Sequence, residues 1–90
     1  MIDVKEAVKI SQEYIQELYS KDEIRDLSLE EVEISEDNSF WLVTVGFTKQ
    51  MTQPLNPMEA MSGPKYARFY KELKIDIEGG QVRSMKNKKL

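Results

Sequence analysis

The chain has neither cysteine nor histidine among its 90 residues. Without cysteine it can have no disulfide framework, no thiolate nucleophile and no soft metal site. Without histidine it lacks the commonest general base and the usual nucleophile–base pairs. Glycine is scarce, and Gly79-Gly80 reads as a turn, not as a strand-to-helix loop that could cradle a phosphate. Proline is confined to Pro54, Pro57 and Pro64. No apolar run approaches the roughly 18 residues that a membrane-spanning helix needs. What remains for catalysis is a carboxylate-only site. Asp22, Glu23 and Asp26, followed by Glu30, Glu31, Glu33, Glu36 and Asp37, lack the alternating spacing of a calcium loop. They read as a solvated acidic surface. The expectation is therefore a protein that is not an enzyme and uses no metal or cofactor.

What is present is ordinary for one globular domain over residues 1–90: 40% hydrophobic and 32% charged residues. The opening MIDVKEAVKI has no apolar core followed by a small-residue cleavage site, so a cytoplasmic protein is expected. The net charge of −3 hides an asymmetry. Residues 1–40 carry four Lys/Arg against twelve Asp/Glu, and residues 41–90 carry nine against four. Such a split suits either an oppositely charged partner or a fold in which the two halves interleave their charges.

Val4, Ala7, Val8, Ser11, Tyr14, Ile15 and Leu18 recur at helical spacing, with Lys5, Lys9, Gln12, Glu13, Gln16 and Glu17 opposite. Asp3 stands at the N-cap with Glu6 three residues on, so the pair resembles a capping box. This helix should stop near Ser20 or Lys21. Residues 27–35 alternate in two registers, Leu27 and Leu29 in one and Val32 and Ile34 in the other. A bulge at Glu30 or Glu31 would restore a single apolar face. A polar turn at 36–39 leads to the β-branched and aromatic run 40–48. There Trp41, Val43, Val45 and Phe47 should meet the helix, with Phe40, Leu42, Thr44 and Gly46 opposite. Residues 49–64 hold all the prolines and three of five methionines, which rules out a regular strand through them. Residues 65–77 alternate again, with Phe69, Leu73 and Ile75 on one face and Tyr66, Arg68, Tyr70 and Lys74 on the other. Gly79-Gly80 turns the chain into a last strand over 82–86.

Residues 70–85, YKELKIDIEGGQVRSM, resemble the closing hairpin of PepSY-like domains. Asp76, Gly80 and Val82 match that family's pattern, and Gly79 stands where Thr is usual. The resemblance implies a helix laid across one face of a curved antiparallel sheet, a PepSY-like or cystatin-like arrangement. It also implies an inhibitory or interaction role, since many such domains are exported or attached to proteases. Together the patterns predict an α+β fold, one N-terminal helix on a four-stranded antiparallel meander. Its core should include Val8, Tyr14, Ile15, Leu18, Trp41, Val43, Val45, Phe47, Phe69, Leu73, Ile75 and Val82.

Two functions from different classes follow. The first is a non-catalytic module, inhibitory or immunity-type, that binds a protein partner or a second copy of itself. Its docking residues would be the soft apolar side chains Met51, Leu55, Met58 and Met61 together with Phe40, Leu42 and Tyr70 on the second sheet face. The second is a small-molecule or peptide-binding domain using the 49–64 loop and the sheet, in a pocket lined by Met51, Met58 and Trp41. Nucleic acid is disfavoured: Glu72 and Asp76 interrupt the basic face of Tyr66, Arg68, Tyr70 and Lys74, and the pI is about 5.0.

Overall fold

A computed structural model describes residues 1–51 and 65–89. One helix precedes four strands: α1 Val4–Leu18, β1 Ile24–Ile34, β2 Phe40–Gln50, β3 Tyr66–Asp76 and β4 Val82–Asn87. The strands pair antiparallel in the order β1-β2-β3-β4, a simple meander, with α1 lying against one face. The expected α+β arrangement is what forms.

α1 begins where the sequence places it. The Asp3 side chain accepts a hydrogen bond from the Glu6 amide at 2.9 Å, satisfying one of the N–H groups that a helix start leaves unpaired. The helix ends at Tyr19, whose extended backbone still donates to the Ile15 carbonyl at 3.0 Å. Ala7, Ser11 and Ile15 are its buried residues. Ser11 is tolerated there because its hydroxyl donates to the Ala7 carbonyl at 2.9 Å.

Beneath the helix, Val43, Val45 and Phe47 of β2 and Leu73 and Ile75 of β3 are buried. Burying side chains of this size contributes about 1.5–3 kcal/mol each. Val8, Tyr14, Trp41 and Val82 pack at the margin of this cluster. Two residues expected in the core lie outside it. Leu18 is 50% exposed because the helix ends there, and Phe69 is 37% exposed although its ring stacks 6.3 Å from Phe47. Both departures share a cause in lengths. β2 and β3, of 11 residues each, span about 36 Å, whereas the 15-residue α1 spans about 22 Å. The helix starts beside Trp41, whose indole donates to the Ile2 carbonyl at 3.1 Å, and finishes with Tyr19 at 5.2 Å from Phe47. The sheet continues past it.

β1 carries two irregularities, between Arg25 and Ser28 and between Leu29 and Glu31. The second places the extra residue at Glu30, so that Leu29, Val32 and Ile34 all pair with helix-facing residues of β2. The first is not visible in the sequence pattern; it coincides with Asp26, which adopts φ +56°. At the closing turn Gly80 takes φ +71° while its amide donates to the Asp76 carbonyl at 2.8 Å. Its would-be Cβ lies 3.2 Å from Ile10. That conformation and close approach require glycine.

Candidate functional site

The face of the sheet away from the helix is clothed in charge. At its centre Gly46 leaves room for side chains from both neighbouring strands. A Cβ there would lie 2.8 Å from Glu30 Oε1 and 3.0 Å from both an Arg68 guanidinium nitrogen and Tyr70 Cε1. Arg68, on β3, crosses β2 through this gap. It donates to Glu30 Oε1 at 3.1 Å, to the Ser28 hydroxyl and to the Asp26 carbonyl. Ser28 itself donates to Glu30 at 2.7 Å. The Ser28 hydroxyl first, and then Arg68, hold the Glu30 carboxyl below the usual carboxylate range.

A second knot lies beside the first. The Lys88 amide donates to the Tyr70 carbonyl, and its ammonium reaches Glu31 at 2.8 Å, Glu72 at 3.2 Å and the Thr44 hydroxyl at 3.2 Å. Glu31 first, and then Glu72, raise the Lys88 pKa. Thr44 is buried beneath them. The Lys74 ammonium sits 4.2 Å above the Phe40 ring, and the Arg25 guanidinium 4.1 Å above Tyr66. On this face, therefore, the acidic half of the chain interleaves with the basic half. The cations that looked available to nucleic acid are engaged with acids and rings.

Phe40, Leu42 and Tyr70 share this face and are half-buried. Met51 is exposed, but nine residues beyond Leu42 along β2, about 30 Å away. Leu55, Met58 and Met61 lie outside the described residues. The structure thus brings Phe40, Leu42 and Tyr70 onto one face and leaves Met51 at the other end of the sheet. Trp41 and Met51 are about 33 Å apart along the same strand and cannot line one pocket.

Exposed apolar side chains also occur on β1. Leu29 is 43% and Ile34 45% exposed, although both point to the helix side. They alternate with Glu30, Glu31 and Glu33, and Asp22 and Glu23 precede the strand while Glu36 and Asp37 follow it. The sequence pattern places both residues on the apolar face. The missing signal was position: the first strand of a meander is an edge, so its helix-side residues have no neighbour on one flank.

A cleft of about 310 Å³ is lined by Asp22, Glu23, Lys49, Gln50 and Met51. Glu23 at its wall accepts a hydrogen bond from the Ser20 amide at 3.1 Å. Among the described residues no group of three or more acids is placed to hold a metal ion, and no helix is long and apolar enough to cross a membrane. The chain matches no protein-family model, no curated protein and no solved structure.

Proposed function

We propose that this protein is a non-catalytic binding module whose recognition surface is the β1 edge. The observation that carries this is the pair of exposed apolar residues, Leu29 and Ile34, set among the acids of the same strand. An apolar centre with a charged rim is how protein interfaces are commonly built. Its partner would present a basic contact surface, drawn in by electrostatic steering, in an inhibitory or immunity-type role. The PepSY-like features of residues 70–85 support an interaction role of this kind.

A tagged pull-down from the native cells tests it, with wild type beside a Leu29→Ser/Glu33→Lys variant. One stoichiometric partner, retained by the wild type through a basic contact surface and lost by the variant, is expected. A partner held equally by both sinks the proposal.

The cleft favours a second function, binding of a small molecule or peptide at the loop-proximal end of the sheet. Its volume is at the low end for ligand sites, and Lys49 beside Asp22 and Glu23 would suit a ligand carrying both charges. A thermal-shift screen of zwitterionic compounds, with Lys49→Ala as control, decides it. Shifts absent in the wild type, or unchanged in the control, count against this site.

A further inference from the structure

The meander turns a charge asymmetry along the chain into one across the molecule. β1 comes from the acidic half and β4 from the basic half, and the strand order makes them the two edges of the sheet. β1 carries Asp26, Glu30, Glu31 and Glu33 against Arg25, whereas Arg83 and Lys86 in β4 are followed by Lys88 and Lys89. Within one copy Glu30 is paired with Arg68, Glu31 with Lys88 and Arg83 with Asp76, so among the described residues the open-face charges Glu33 on β1 and Lys86 on β4 are left without an ion pair. Pairing β1 with β1 of another copy sets like charges side by side, and so does β4 with β4. Only β4 with β1 is complementary.

From this we infer that the protein associates head to tail, the β4 edge of one copy adding to the β1 edge of the next. The proposal rests on the β1 edge being the recognition surface and names its partner as a second copy of this chain. The topology permits it without any turn of the subunit. In an antiparallel sheet with an even number of strands β4 runs opposite to β1, so a copy displaced sideways presents β1 antiparallel to β4.

The side chains fit one register. On β4, Lys86 and Ser84 pair with open-face residues of β3, and Met85 and Val82 with helix-side ones. On β1, Glu31 and Glu33 lie on the open face, with Val32 and Ile34 on the helix side. Setting Met85 opposite Val32 places Lys86 opposite Glu31 and Ser84 opposite Glu33. β4 has an extra residue at Arg83, between Ser84 and Val82, so Val82 stays on the helix side and comes beside Ile34, covering one of the two exposed apolar residues of the edge. Both faces match at once. The bulge at Glu30 limits the regular run on β1 to four residues, so each junction is short and the association concentration-dependent. A junction of this kind is not two-fold; repeated, it gives a ring where the rotation closes and an open chain of copies where it does not.

Sedimentation velocity at low ionic strength tests the inference. The wild-type sedimentation coefficient should climb with protein concentration and return to the monomer value in high salt, where surface charges are screened. Glu33→Lys and Lys86→Glu should each sediment as monomers alone. Mixed, they should associate again, because the β4 of the first and the β1 of the second are both unaltered. A wild type that is monomeric at every concentration overturns the inference, as does a mixture that fails to associate. Stronger association of Glu33→Lys alone would indicate β1 pairing with β1 and overturns it too. A monomeric wild type that nevertheless captures a basic partner through β1 leaves the recognition surface standing and removes only the self-assembly.

Discussion

Gly46 shows how one missing side chain organises a face. It is buried in the middle of β2, where glycine contributes no packing of its own and costs about 0.5–1 kcal/mol relative to alanine. Its return is the passage it opens for Arg68 to reach Glu30 and Ser28. Gly46→Ala would push against side-chain tips, not backbone, so the sheet should persist while Arg68 is displaced. We expect a loss of about 1 kcal/mol in urea unfolding, at the low end for overpacking, and a Glu30 carboxyl that titrates at a more ordinary value by NMR. The charged knots also set the pH range of stability. Glu30 and Asp37 are held low when folded, Asp37 mainly by the Ser35 hydroxyl, so their contribution is present above the ordinary carboxylate range and is lost as pH falls through their depressed values. Lys88 is raised, so its contribution is present below the ordinary lysine value and is lost as pH rises through the elevated one. Stability measured by denaturant unfolding should be level near neutrality and fall at both extremes. Lys88→Met should flatten the alkaline limb alone.

At the scale of elements, α1 was the most legible part of the chain, because its cap, stripe and polar face repeat one message. Asp3→Ala removes the cap bond and should cost about 1 kcal/mol, read as a lower thermal midpoint with no change of fold. β2 and β3 were legible from alternation. The bulge at Glu30 was legible too, since the two registers of residues 27–34 can share one face only if a residue is added. The irregularity at Asp26 was not, because Arg25, Asp26 and Leu27 carry no pattern for it to interrupt. The exposed apolar side chains of β1 were not legible for a related reason. Alternation assigns Leu29 and Ile34 to a face, but only the strand order shows that this face has an open flank. Conversely, Phe40 looks bare in the sequence, and its cover comes from Lys74, remote along the chain.

At the scale of the whole molecule, the helix is shorter than the sheet it covers. On one face α1 covers β2 from Trp41 to Phe47, where Val43 to Phe47 are buried, while Thr48 to Gln50 lie past the helix end at Tyr19. Opening the far end of the ladder therefore disturbs little of the buried cluster, whereas opening the near end dismantles it. Amide hydrogen exchange should read this as a gradient along β2, with the slowest exchange at Val43 and Val45 and progressively faster exchange from Thr48 to Gln50. Uniform protection along the strand would contradict it. Such a gradient makes the molecule a lever with one fixed end. The half clamped by the helix holds the buried cluster, so fraying of the half beyond it is expected to leave the rest of the domain folded.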